Sequence, residues 1–255
     1  MSARLNIGLI GSGFMGQAHA DAYRRAAMFY PDLPKRPHLY ALADQDQAMA
    51  ERHAAKLGAE KAYGDWRELV NDPQVDVVDI TSPNHLHYTM AMAAIAAGKH
   101  VYCEKPLAVN EQQAQEMAQA ARRAGVIEAS RIAAGRIFGV FWEVSGTEGT
   151  LYMDGERFNE LQVYRFNDDK HDRGFKTLYA GSQIPAYAGF FGFDFGGGGL
   201  GYFDVKVIEV HDLVQGICGE GDCYPNFEFG LQNQRVLSAI EASMASRRWV
   251  NVVKD

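Results

Sequence analysis

Gly11-Ser12-Gly13-Phe14-Met15-Gly16 sets three glycines at the spacing G-x-G-x-x-G, after an apolar run from Leu5 to Ile10 and ahead of an alanine-rich stretch. Glycines in that order let the chain turn tightly, approach a pyrophosphate closely and pack a helix on its strand. The free N–H groups and positive dipole end of that helix then face the anion. Without a ligand the same spacing is a plain strand-to-helix turn, so a strand before it and a helix after it are the confirming context. Asp44 closes a second apolar run, His38 to Ala43. A carboxylate there accepts the hydroxyls of an adenosine ribose, which favours NAD over NADP; its other use is to cap the following helix. It lies further from the glycines than the usual roughly 20 residues. A loop containing Pro31, Pro34 and Pro37 accounts for the excess.

Two more clusters follow apolar runs. Thr81-Ser82-Pro83-Asn84-His85-Leu86-His87 comes after Val75 to Thr81, and Glu104-Lys105-Pro106 after Val101 to Cys103. Loops at the carboxyl ends of parallel strands are where ligands bind in open sheets. Ser82, Asn84 and His87 are therefore candidate cofactor contacts, with Asn84 also a plain helix cap. His85 and His87 lack a Cys, Asp or Glu at ligand spacing, so no metal site is expected. Glu104 and Lys105 belong to the same sheet edge as the glycine loop. A lysine there can hold a substrate hydroxyl, stabilise developing negative charge or relay a proton. The bland alternative is a surface lysine.

The elements that must position these residues alternate. Strands are expected at 5–10, 38–43, 75–81 and 101–103, with helices at 15–29, 45–57, 66–70, 86–97 and 111–123. Gly98 stops one helix and Asn110 caps another. That order implies a doubly wound parallel sheet with helices on both faces. The second half reads differently. Strands at 141–144 and 149–153 flank a Ser145-Gly146-Thr147 turn, and a third covers 161–166. Residues 188–203 are too rich in glycine for a regular helix. Helices at 206–217 and 231–246 precede a strand at 249–253. The fold class is α/β: a Rossmann domain at 1–127, then a shortened α+β domain at 128–255 with a mainly antiparallel sheet. The last helix and strand are free to pack back on the first domain.

Composition narrows the function. The chain has 255 residues, 25 Lys+Arg against 32 Asp+Glu, and a formal net charge of −7. That balance argues against binding phosphate backbones, which needs a basic footprint. No apolar run reaches the roughly 18 residues of a membrane helix. The N-terminus enters a strand without a leader pattern, so a cytoplasmic location is expected. Cys103, Cys218 and Cys223 are odd in number and form no CxxC pair, which points to reduced thiols.

Taken in order, several stretches carry a resemblance: the glycine loop, Asp44, Tyr63-Gly64-Asp65-Trp66-Arg67-Glu68-Leu69, Ser82-Pro83-Asn84 with His87, and Gly98-Lys99-His100-Val101 leading to Glu104-Lys105-Pro106-Leu107. The chain resembles the glucose–fructose oxidoreductase/inositol dehydrogenase (Gfo/Idh/MocA) family, closely over residues 5–126. Glu-Lys-Pro is the most specific element. The later stretches Glu128-Ala129-Ser130-Arg131, Ser145 to Leu151, Leu200-Gly201-Tyr202, Val207 to Asp212 and Gly230 to Val250 are similar to its second domain. The flavour is that of the scyllo-inositol and L-glucose dehydrogenases.

The resemblance implies NAD, a secondary alcohol of a sugar or cyclitol as hydride donor, Lys105 in the substrate site, and a homo-oligomer built through the second-domain sheet. The family also carries an Asp-xxx-His motif whose histidine is the acid/base. Here Val126-Ile127 runs directly into Glu128-Ala129-Ser130, where the family has a long segment bearing that motif. An internal deletion after residue 127 is the expectation. His211, seven residues after Asp204, is a poor substitute at the wrong spacing. Three readings stay open: a polyol dehydrogenase, an NAD-binding and oligomer-forming derivative with impaired catalysis, and a deletion form of a longer enzyme.

Overall fold

The computed structural model describes residues 3–121, 140–185, 187–191, 199–221 and 223–252. They fall into two compact units. One comprises Met1–Ser130 with Lys206–Asp255, and the other Arg131–Val205. The division is thus discontinuous, whereas the sequence reading draws one boundary at 127/128. That boundary, the Glu128–Arg131 stretch and the end of the helix at 123 lie outside the described residues.

In the first unit, β1 (Ala3–Ile10), β2 (Lys35–Ala43), β3 (Lys61–Tyr63), β4 (Val77–Ile80) and β5 (His100–Cys103) form one sheet in the order β3-β2-β1-β4-β5. Every pairing is parallel. The helices between them are α1 (Phe14–Phe29), α2 (Gln47–Leu57), α3 (Trp66–Asn71), α4 (Asn84–Ala96) and α5 (Glu111–Ala121). Val77, Val78, Asp79 and Ile80 are all buried, as a central parallel strand covered on both faces requires. One core joins β4 and β5 to apolar residues of α3, α4 and α5, together with Phe227 and Leu231 from near the C-terminus. Leu9, Leu39 and Leu42 pack with Ala20 of α1 and Ala50, Ala54 and Leu57 of α2. Two further helices, α6 (Tyr202–Cys218) and α7 (Phe227–Ser246), contribute most of their length to this unit.

Local chemistry explains most ends. Asp46 caps α2 by accepting from Met49 N, and Gly58 closes it at φ +81, where a side chain would be strained. Asn110 accepts from Gln113 N at the start of α5, as expected. Pro37 is not in a loop: it lies in β2 opposite Leu5. β3 pairs only with 41–43, so the outer side of β2 at Pro37 asks for no donor. β3 itself was not expected, being a three-residue edge strand without an apolar run. α7 starts at Phe227 rather than 231, because Asn226 accepts from Phe229 N. Residues 249–252 form no strand.

The second unit holds an antiparallel meander of β6 (Phe141–Ser145), β7 (Gly149–Asp154), β8 (Glu160–Arg165) and β9 (Lys176–Tyr179), in that order. The turn at Gly146 is closed by its N–H to Gly149 O. Paired residues share a face. Trp142 and Met153, Val144 and Leu151, and Leu161 and Leu178 therefore make one face predominantly apolar. Trp142, Val144, Leu151 and Leu178 on it are exposed. Residues 188–190 form one turn of 3₁₀-helix, and 192–198 lie outside the described residues.

Candidate functional site

The loops after β1, β2, β4 and β5 meet at one edge of the parallel sheet. Gly11 N donates to Ala43 O at 2.9 Å, Thr81 N to Ile10 O at 2.9 Å, and Glu104 N to Ile80 O at 2.8 Å. Thr81 Oγ1 ties the glycine loop from the side through Gly11 O at 2.7 Å. Two of the three glycines are required by the protein itself. Gly11 has φ +96, and a Cβ on Gly16 would lie 2.2 Å from Gly11 O.

Gly13 is different. Its φ of −63 suits any residue, and a Cβ there would meet no atom within 4 Å. Nothing internal demands glycine at 13. The cleared space lies at the N-terminal end of α1, the positive end of its dipole. That is the cradle a pyrophosphate fills, so the residues present fit the dinucleotide. Phe14 and Met15 form the first turn of α1, with Phe14 exposed.

Asp44 caps no helix; that duty belongs to Asp46. Its Oδ2 instead accepts from Ser12 N at 3.2 Å and from Ser12 Oγ, and its Oδ1 from Gln45 N at 2.8 Å. Burial alone would raise this carboxyl's pKa, but the hydrogen bonds from Ser12, Gln45 and His53 outweigh it and hold the group below the usual carboxylate range. A charged acceptor thus stands beside the glycine loop, where a ribose would lie.

Asn84 is not a cap either. It is the first residue of α4, and its Nδ2 donates to Pro106 O at 2.6 Å. His87 is buried, with Nδ1 2.9 Å from Pro106 O and Nε2 2.8 Å from Ser82 O. Both residues therefore brace the Ser82 and Glu104–Pro106 loops against each other, with both His87 ring nitrogens occupied by carbonyls. Ser82 Oγ lies 3.2 Å from Met90 Sδ. Among the described residues no group of three or more His, Cys, Asp or Glu could hold a metal, and no helix is long and apolar enough to cross a membrane.

Beneath Lys105 lies a buried polar network that the sequence reading missed. Glu104 Oε2 accepts from Lys105 N at 3.1 Å, and its Oε1 meets His19 Nε2 at 3.2 Å and Lys206 Nζ at 3.3 Å. His19 Nδ1 lies 3.0 Å from Asp79, which also accepts from Tyr23 OH at 2.7 Å. Lys206 Nζ reaches Glu209 at 2.7 Å, and Tyr102 OH donates to Glu209 at 2.6 Å. His19 is fully buried, and burial lowers its pKa. The charge of Asp79 and hydrogen bonds to Asp79 and Glu104 reverse this and raise it to about 9. Burial likewise pushes Glu104 up, but His19 and Lys206 bring it down to about 2. The available signal was a charged residue on an otherwise apolar element: His19 among the alanines of α1, Asp79 inside VDVVDIT.

His211 falls elsewhere. Its ring packs on Tyr30 at 4.2 Å, and Nδ1 is 2.8 Å from Asp212. Tyr30 follows the C-terminal end of α1, whose 16 residues span about 24 Å from the glycine loop. His211 is thus a packed helix residue, in keeping with its wrong spacing from Asp204.

The oxidoreductase family model with an NAD-binding Rossmann fold, Gfo/Idh/MocA, matches residues 5–130. A solved NAD binding oxidoreductase from Klebsiella pneumoniae is 65% identical and superposes with a TM-score of 0.92, covering 100% of both chains. The chain belongs to the Gfo/Idh/MocA oxidoreductase family. Levoglucosan dehydrogenase of Pseudarthrobacter phenanthrenivorans is 26% identical, over 97% of this chain and 98% of that protein. A structure of levoglucosan dehydrogenase with NADH and levoglucosan superposes at TM-score 0.88, with 27% identity over 99% of this chain and 100% of that one. Myo-inositol 2-dehydrogenase of Thermotoga maritima is 36% identical over 48% of this chain and 34% of its own length. The alignment to the levoglucosan enzyme runs over 384 positions against 255 residues here, so about a third of those positions have no residue of this chain.

Proposed function

We propose that this family member is an NAD-dependent dehydrogenase acting on a secondary alcohol of a sugar or cyclitol. The observation that carries the cofactor half is Gly13, cleared for no internal reason, with the Asp44 carboxylate beside it. A bound NAD supplies the hydride acceptor. On the protein side, the glycine-loop amides hold the pyrophosphate and Asp44 accepts from the ribose. Ser82 belongs to the nicotinamide-side loop, and Asn84 and His87 fix it. Lys105 donates to the alcohol oxygen while Glu104 fixes its main chain. Replacing Asp44 by Ala removes a charged acceptor, a loss of about 1.5–3 kcal/mol or roughly 10- to 100-fold in affinity. NADH fluorescence titration checks this, and wild-type protein that binds no NADH would overturn the reading.

The unmatched third of the levoglucosan dehydrogenase alignment favours a second reading, in which NAD is bound without efficient turnover. A missing positioned base costs about 10²–10⁴-fold. NADH formation with inositols, aldoses and anhydro sugars separates the two. Turnover well above background sinks the second reading, and tight NADH binding with none across the panel sinks the first.

The apolar face of the β6–β9 sheet supports a homo-oligomer, with a second copy covering Trp142, Val144, Leu151 and Leu178. Light scattering is expected to give a multiple of 28.2 kDa. Val144→Asp together with Leu151→Asp is expected to shift the mass to one chain. A wild-type monomer would remove the basis for this assembly. A cytoplasmic location is part of the same reading, in keeping with a soluble NAD enzyme.

A further inference from the structure

Resting on the NAD reading, we propose that His53 makes discrimination between NADH and NADPH depend on pH. His53 lies on the second turn of α2, about one-third exposed, with Nδ1 3.5 Å from Asp44 Oδ2 and in contact with Ser12 Oγ. It is therefore an ionisable group within reach of the carboxylate placed at the adenosine ribose. A 2′-phosphate there carries about −1.5 to −2 charge near pH 7. Against Asp44 alone it meets like charge. Against Asp44 paired with an imidazolium it meets a compensated carboxylate and a charged donor. Histidine changes charge between about pH 5 and 8, so lower pH favours the phosphorylated cofactor.

The other groups around His53 do not reproduce this dependence. On α2, Lys56 Nζ donates to Gln17 Oε1 at 3.1 Å, and Arg52 is exposed. Glu51 accepts from Gln47 at 2.9 Å, and Asp46 accepts from Met49 N. From α1 the neighbour is Gln17, whose amide also donates to Ser12 O at 3.3 Å; Asp21, one turn on, pairs with Arg24 and Arg25. The phosphate itself gains a proton near pH 6, which is common to every variant.

The experiment measures dissociation constants of NADH and NADPH by fluorescence from about pH 8 to about pH 6, in wild type, His53→Gln and His53→Ala. The NADPH-to-NADH ratio is expected to fall about fivefold in wild type, an interaction of about 1 kcal/mol, and to change less than about twofold in both variants. A flat wild-type ratio, or the same fall in the variants, would overturn the inference while leaving NADH binding intact. Failure of NADH to bind at any pH would overturn the cofactor reading itself, and this inference with it.

Discussion

Lys206→Met is expected to destabilise the NAD-binding unit by about 3–5 kcal/mol, the range for removing one partner of a buried ion pair. Lys206 is buried, and its Nζ serves both Glu104 and Glu209. Methionine keeps the aliphatic stem but leaves the buried Glu104 and the partly buried Glu209 without their shared cation. Glu104 retains His19 and Glu209 retains the Tyr102 hydroxyl, so neither is wholly orphaned. The loss is therefore expected toward the lower end of the range. Denaturant unfolding followed by circular dichroism measures it. Adding Glu209→Gln to Lys206→Met should recover part of the loss, because one of the two stranded charges is gone. A change below about 1 kcal/mol in the single variant would mean that water reaches the network and screens it.

The same network shows what could be read from the sequence and what could not. The glycine loop, Asp44 and Glu104-Lys105-Pro106 were legible because each is a local pattern tied to a strand end. A parallel sheet then brings all strand ends to one edge whatever the detailed packing. The strand order β3-β2-β1-β4-β5 is one of those that such alternation permits. Lys206 was not legible as Glu104's partner, since 102 residues separate them and its helix reads simply as amphipathic. The alternative reading of Asp44 and Asn84 as caps fails for the converse reason. Capping is a local rule, while both side chains are drawn away by partners far along the chain, Ser12 and Pro106. His211 fails on a count the sequence already gives, seven residues from Asp204, and the structure packs its ring on Tyr30. Pro37 shows the same limit: proline marks a loop by itself, but in a strand whose outer side has no neighbour at that position it is harmless.

His19 and Glu104 set opposite limits to the pH range of stability. Raising a histidine from 6.5 to about 9 means that the folded state holds the proton more tightly. The stabilisation is complete below about pH 6.5 and disappears as pH rises through about 9. For Glu104, lowered from 4.5 to about 2, stabilisation is complete above about pH 4.5 and fades as pH falls toward 2. Both contributions are whole only between those bounds, so this network favours maximal stability at about pH 5–6. Each shift corresponds to about 3–3.5 kcal/mol at most. The two groups are hydrogen-bonded partners, so their contributions are not additive. Denaturation midpoints from about pH 5 to about pH 9 are expected to fall along the alkaline limb, which lies below the ordinary range of tyrosine titration. His19→Asn removes the titrating group and should flatten that limb while lowering stability at pH 6. An unchanged alkaline slope in His19→Asn would assign the proton release to another group and show that Asp79 and Glu104 do not hold His19 charged.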